Sequence, residues 1–163
     1  MNIESRIENG PLLGIDLGRR RTGLAKSDPD LRVATPLVIV EAAGNKLDFS
    51  ILDHCRKNEV TGVVLGLPRH MDGREGDLAP RTRRLAAYIH RQLNIPVWLW
   101  DERLSTLEVD RRAREGGKRQ QPRDDLAATL ILQGFIDAQA WKRPPAHAGD
   151  DPGDRSEDDG TAE

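Results

Sequence analysis

Residues 12–27, LLGIDLGRRRTGLAKS, decide how the rest of the chain is read. Leu12 to Leu17 is a compact apolar run closed by Gly18, and Thr22 to Ser27 is a second short run beyond three consecutive arginines. Two such runs across a polar turn predict a β-hairpin. Asp16 stands inside the first run. An ionised carboxylate in apolar surroundings costs several kcal/mol unless a cation or hydrogen-bond donors meet it, so this position asks for a chemical explanation.

Outward from the hairpin, Thr35 to Val40 (TPLVIV) follows a turn at Asp28 to Asp30 and is rich in β-branched residues, which predicts a third strand of a meander. The period then changes. Leu47, Ile51, Leu52 and Cys55 recur at helical spacing, Val63 to Leu67 reads as a buried strand closed by Pro68, and Leu78, Leu85, Ala86, Ile89 and Leu93 line one face of a second helix. Val97 to Trp100 is a fifth strand that stops at Asp101-Glu102. Ser105 and Glu108 have capping-box spacing, with Leu104 and Val109 as a hydrophobic staple, so a third helix begins at Ser105 and ends near Gly116-Gly117. A loop through Pro122 leads to a last amphipathic helix from about Asp124 to Trp141. The order βββαβαβαα implies an α/β fold: a mixed five-stranded sheet flanked by helices, reached through right-handed crossovers.

The chain has 163 residues and 37% hydrophobic content, enough for one domain with a real core. That domain is expected over 12–143, after a short lead over 1–11. No run approaches a membrane span and the polar start has no secretory h-region, so a cytoplasmic location is expected. Cys55 is the one cysteine, which excludes an internal disulfide and a cysteine-based zinc cage. The formal net charge is −2, but residues 144–163 carry seven acidic residues and one arginine, leaving 24 basic against 20 acidic residues in the body. A body at about +4 tolerates phosphate. The acidic segment has no large apolar residue to offset its ordering entropy, so disorder is expected there.

In α/β sheets ligands bind beyond the carboxyl ends of the parallel strands. Acids at three such places qualify: Asp16 in strand one, Asp101 or Glu102 at the end of strand five, and Asp124 or Asp125 at the start of the last helix. If they converge, hard oxygen donors of this kind suit Mg²⁺ or Mn²⁺ rather than zinc, and two such ions serve phosphodiester hydrolysis. Each acid also has a plain structural reading. Asp124 is a natural helix N-cap, Asp101-Glu102 a solvated strand end beside Arg103, and Asp16 a hydrogen-bond partner for the arginine turn.

The motifs GIDLGxxRxGxAxSD at 14–28, VVLGLPxxMDG at 63–73, DERLST at 101–106 and DDLAATLILQ at 124–133 resemble, in this order, the YqgF/RuvX family of Holliday junction resolvase-like proteins and pre-16S rRNA nucleases. The resemblance spans about residues 12–141. It implies an RNase H-like fold and a metal-dependent endonuclease whose metal ligands are Asp16, Glu102 and Asp124, with Asp101 and Asp125 as alternates. It implies Mg²⁺ or Mn²⁺, two ions, and as substrate either pre-16S rRNA at its 5' end, in ribosome biogenesis, or branched DNA, for which a homodimer is expected. Relative to RuvC-type resolvases, the strand Val63 to Leu67 carries no acid, which moves the second carboxylate to strand five. The loop through Gly66, Pro68 and the Met71-Asp72-Gly73 turn is then expected to shape the substrate groove, against the alternative of an ordinary connection.

Residues 103–123 hold seven Arg or Lys against three acids. Phosphate contact is expected from Arg103, Arg111, Arg112, Arg114, Lys118, Arg119 and Arg123, joined by Arg19 and Arg21 and extended by Arg81, Arg83 and Arg84. A solvated helix face is the competing reading for each. With 4% aromatic residues, backbone and shape recognition is expected to outweigh base stacking. Two other functions share the fold's first motif. An actin- or hexokinase-like phosphotransferase would need a second such domain, which this length does not hold; a noncatalytic nucleic-acid-binding factor would not need the acids.

Overall fold

The computed structural model describes residues 10–70, 72–101 and 124–145; the side chains of Asp124 and Asp125 lie outside that description. Five strands, β1 (Leu12–Asp16), β2 (Thr22–Ser27), β3 (Ala34–Val40), β4 (Gly62–Leu67) and β5 (Val97–Asp101), form one sheet in the order β3-β2-β1-β4-β5. β1 pairs antiparallel with β2 and parallel with β4; β2–β3 is antiparallel and β4–β5 parallel. This is the mixed sheet expected from the element order. Helices α1 (Gly44–Lys57) and α2 (Ala79–Leu93) cover one face, and α3 (Asp124–Asp137) crosses the other. The helix expected from Ser105 to Gly116 falls outside the described residues, as do most of the lead and the segment from residue 146 on.

The hairpin closes because of Gly18. A Cβ there would stand 2.0 Å from the Arg21 carbonyl oxygen, a separation no side chain allows. At the next turn the Asp28 carboxylate accepts from the backbone N–H groups of Arg32 (2.7 Å) and Val33 (2.8 Å). These bonds, the Val33 one first, hold Asp28 below the usual carboxylate range. The turn also holds Leu31 at φ 56° with its side chain buried, so tertiary burial offsets the backbone cost. Between Leu24 and Ala25 the β2–β3 register slips by one residue, and Pro36 lies in β3, an edge strand where a missing N–H removes no inner ladder bond.

Side-chain alternation splits the sheet cleanly. Leu13, Ile15, Leu24, Val63, Leu65 and Val97 face α1 and α2, where Leu47, Ile51, Leu52, Cys55, Leu85 and Ile89 complete the core. Leu12, Ala25, Val64, Trp98 and Trp100 face α3 and meet Ala128, Ile131, Leu132 and Phe135. Burying one such aliphatic side chain contributes roughly 1.5–3 kcal/mol. Phe135 wedges against both tryptophans, 5.3 Å from Trp98 and 5.7 Å from Trp100 between ring centroids, in tilted and edge-on arrangements. Asp48 and Arg81, both largely buried, join α1 to α2 through a 2.5 Å ion pair.

The last helix ends earlier than the apolar pattern predicts, at Asp137 rather than Trp141. Gln139 turns into the left-handed region at φ 50°, and a short 3-10 turn over Ala140–Lys142 follows. Ala140 and Trp141 still pack on the α3-side core, which is why their apolar character continues the helical pattern. Beyond them, the Trp98 indole Nε1 donates to the Arg143 carbonyl at 3.1 Å and ties this segment to β5.

α3 packs closely on the sheet at Gly14. A Cβ there would lie 2.7 Å from Leu132 Cβ and 3.1 Å from the Ala128 carbonyl oxygen, atoms that cannot move without the helix. Gly14→Ala is therefore expected to destabilise the protein by about 1–3 kcal/mol through overpacking. A urea titration checks this, and the loss should appear as a lower midpoint with an unchanged slope.

Candidate active site

Asp16 ends β1 on the α3 side of the sheet, half-buried, two residues beyond Gly14. Its partner on β2 is Gly23. On the other side Ile15 pairs with Leu65, so the next step of the register sets Asp16 beside Gly66, and Gly66 pairs with Trp100. The row across the sheet thus reads Gly23, Asp16, Gly66, Trp100. Glycine has no side chain, so neither strand neighbour sets a side chain beside the Asp16 carboxylate, and both glycines are themselves buried. Nothing in the sequence marks either glycine as a neighbour of Asp16. That relation becomes visible only once strand partners are known.

The register also separates the acids at the end of β5. Asp101 pairs with Leu67 and belongs by alternation to the face of Val97 and Leu99, opposite to that of Asp16. Glu102 lies outside the described residues. The backbone of α3 begins at the same end of the sheet. Ala128 and Leu132 lie over Gly14, whereas Gln133 accepts the Ala34 N–H (2.9 Å) at the other end of the sheet, where Ala34 pairs with Ser27 and the Ser27 hydroxyl accepts from Leu12 N. α3 therefore runs from the Asp16 end toward the Leu12 end, and Asp124 begins it one turn ahead of Ala128. Among the described residues no group of three or more His, Cys, Asp and Glu is placed to hold a metal ion, and of the expected acids only the side chains of Asp16 and Asp101 are among them.

The loop after β4 frames this edge. Pro68 accepts from Gly76 N (2.9 Å), Arg69 bridges to Glu75, and His70 N donates to the Arg74 carbonyl at 2.7 Å, so the segment closes into a small hairpin. At its tip Asp72 accepts from the backbone N–H of Arg74 (3.0 Å) and pairs with that residue's guanidinium (2.6 Å), which together hold its carboxyl below the usual range. Arg83 on α2 pairs with Glu75, and Arg19 in the β1–β2 turn reaches Asp77 at 3.5 Å. The loop is thereby tied to both neighbouring elements.

Of the expected phosphate-contacting residues, Arg19 and Arg21 are described, and each has an acid beside it: Asp77 and, at 3.3 Å, Glu41. These pairs are highly exposed, and exposed pairs contribute only about 0–1 kcal/mol, so a phosphate can replace the carboxylate at small cost. Arg81 and Arg83 are engaged with Asp48 and Glu75 in structural pairs, while Arg84 is exposed. Arg103, Arg111, Arg112, Arg114, Lys118, Arg119 and Arg123 lie outside the described residues.

A doubly covered mixed sheet in this strand order is RNase H-like. The profile of the RuvX family, described as Holliday junction resolvase, matches residues 10–138, and the chain belongs to that family. It is 42% identical over 135 residues to a pre-16S rRNA nuclease of Bradyrhizobium sp. strain ORS 278, covering 80% of this chain and 84% of that one. With a pre-16S rRNA nuclease of Cereibacter sphaeroides strain ATCC 17029 it shares 41% identity over 152 residues, 85% of this chain and 95% of that one. Among solved structures, Thermus thermophilus RuvC in complex with a Holliday junction substrate superposes with a TM-score of 0.57 at 16% identity, over 83% of this chain and 99% of RuvC, a likeness of fold. No described helix is long and apolar enough to cross a membrane.

Cys55 takes no part in this site. It lies on the inward face of α1, buried in the core of the opposite face of the sheet, and burial pushes its thiol up to about 12. Because that lies above the ordinary 9.0, the neutral thiol's contribution to stability is whole below about 9 and is lost as pH rises toward 12. The native protein at pH near 8 should leave Cys55 unreacted with a thiol-specific disulfide reagent, and full reaction should appear only on unfolding in urea.

Proposed function

We propose that this chain is a metal-dependent endonuclease that hydrolyses phosphodiester bonds in structured RNA, the precursor of 16S rRNA first, in ribosome biogenesis. The observation that carries the proposal is the position of Asp16: a half-buried carboxylate at the end of β1, flanked by Gly23 and Gly66, on the face where α3 begins. The metal ligands are Asp16, Glu102 and Asp124. Asp101 belongs to the other face, which supports Glu102 as the acid that strand five contributes; the helical turn between Asp124 and Ala128 supports Asp124 over Asp125.

The donor set fits Mg²⁺ or Mn²⁺, because carboxylate oxygens are hard donors and the glycines paired beside Asp16 bring no side chain to crowd them. When bound, a pair of such ions supplies a deprotonated water and neutralises charge on the leaving oxygen. The chain's own part is to supply Asp16 from the end of β1, Glu102 from the position after β5 and Asp124 from the start of α3. Arg19 and Arg21 receive flanking phosphates in exchange for Asp77 and Glu41. Arg103, Arg111, Arg112, Arg114, Lys118, Arg119 and Arg123 add the remaining cationic contacts.

The second reading is cleavage of branched DNA, favoured by the family's description as Holliday junction resolvase. Symmetric cutting of two strands requires a homodimer, whereas trimming one rRNA end does not. The names of the relatives at about 40% identity favour the RNA substrate.

With Mn²⁺ or Mg²⁺ the purified protein should cleave precursor 16S rRNA faster than a four-way DNA junction, and Asp16→Asn should abolish cleavage while leaving the circular dichroism spectrum and urea midpoint near the parent's. Full activity in that variant refutes the site. Replacing Arg111, Arg112 and Arg114 by alanine should weaken RNA binding and flatten its salt dependence, by about 0.7–0.9 in log–log slope for each phosphate no longer neutralised. Filter-binding titrations across salt concentrations measure that slope, and an unchanged slope would assign these residues to a solvated face.

A further inference from the structure

Charge is divided unevenly along this chain. Residues 146–163 hold seven acids and one arginine, with six of those acids within residues 150–159, against 24 basic and 20 acidic residues elsewhere. The turn after β1 is opposite in kind. Arg19, Arg20 and Arg21 are consecutive and exposed; Arg19 and Arg21 hold their acids through exposed pairs of 3.5 and 3.3 Å, and Arg20 pairs with no acid among the described residues. The Arg19–Asp77 pair ties this turn to the loop after β4, where Arg69 is likewise exposed and has no acid partner among the described residues. The two features are within reach of each other. The Trp98 indole holds the Arg143 carbonyl at 3.1 Å, and Pro144 and Pro145 lie beside Trp98, Leu99 and Trp100, so the last described residues are at β5. β5 runs parallel to β4 and β4 to β1, so β5 ends on the side of the sheet where Asp16 and the arginine turn stand. From β5 to β2 is three strand spacings, about 14 Å, whereas the eighteen residues after Pro145 extend to about 60 Å.

We infer that the acidic segment 146–163 seats on the arginine turn and Arg69 of its own chain and there competes with the phosphates of the substrate; the inference rests on the nuclease reading above for what is displaced. Carboxylates and phosphates both offer a guanidinium two oxygens in the spacing of its paired N–H groups, so one can stand in for the other. The segment is the occupant because it is the strongly anionic stretch of the chain and is tethered beside the cations it complements. A ligand on so short a tether acts at an effective concentration on the order of 1 mM, so a seat with a dissociation constant of about 0.3 mM weakens a competing RNA about fourfold. The segment thereby raises the affinity that a nucleic acid must bring to hold the site. Added salt screens these exposed contacts and releases it.

The test uses full-length protein carrying Asp16→Asn, so that RNA is bound and not cut. It is compared with the same protein carrying also Asp150→Asn, Asp151→Asn, Asp154→Asn, Glu157→Gln, Asp158→Asn and Asp159→Asn, which removes charge and keeps the length of the chain. In a first anisotropy titration, a labelled peptide with the sequence of residues 146–163 is added to the neutralised protein. It should bind saturably, weaken at least about fivefold between about 50 and 200 mM salt, and weaken at least about threefold when Arg20→Ala and Arg69→Ala are added. In a second, a short single-stranded RNA should bind the neutralised protein about fourfold tighter than the acidic parent at the lower salt, at every protein concentration, and the gain should shrink with Arg20→Ala and Arg69→Ala. A peptide that does not bind, or binds the arginine variant equally well, overturns the seat and leaves the nuclease reading standing. An RNA gain undiminished in that variant is repulsion at a distance and overturns it too. A gain that grows with protein concentration assigns the segment to a second copy and overturns the seat within one chain. Peptide binding by a protein that binds no RNA keeps the seat and overturns the nuclease reading.

Discussion

α3 seats on β1 at Gly14, where the Ala128 carbonyl and Leu132 Cβ occupy the space a side chain would need. Everything chemical here depends on it. The helix is seated by Leu132 and Phe135 against a face made of Leu12, Val64, Trp98 and Trp100, and its start is thereby delivered to the end of the sheet where Asp16 stands. A larger residue at position 14 would lift the helix and move that start. The hold on β1 and on the start of α3 is packing rather than charge. Two hydrophobic layers on opposite faces of the sheet provide that hold.

The rim around this end is charged in a particular way. Arg19 with Asp77, Arg21 with Glu41, Arg74 with Asp72 and Arg83 with Glu75 are all neighbours of the β1–β2 turn or the loop after β4. Each arginine is balanced at rest, which limits repulsion among like charges, and each exposed pair is weak enough to be exchanged. The same loop hairpin that carries several of these pairs is closed by backbone bonds from Pro68 to Gly76, so its position does not depend on the ion pairs alone.

Much of the architecture is legible along the chain because its signals are local. The apolar runs at Leu12 to Leu17 and Thr22 to Ser27, the β-branched stretch before Val40 and the helical spacing of Leu47, Ile51, Leu52 and Cys55 each correspond to the element observed. The end of the last helix is not legible in this way, for a reason that is not local. Ala140 and Trp141 are packed on the sheet after the chain has turned at Gln139, and burial rather than helicity sets their character. Asp16 is legible as an anomaly. The choice between Asp101 and Glu102 is not, since a one-residue difference in register reverses which face a side chain meets.

By itself, then, the sequence determined the order and type of the described elements, the presence of a carboxylate in the first strand, and membership of a family recognised by four motifs in succession. Those follow from period, turn chemistry and residue identity, which act between near neighbours. Only the tertiary structure decided that Gly23 and Gly66 flank Asp16, that Asp101 faces the other way, and that the scarce aromatic residues meet around one cavity. These are relations between residues tens of positions apart, set by which strands pair and in what register, and no short stretch of chain carries the energy that fixes them.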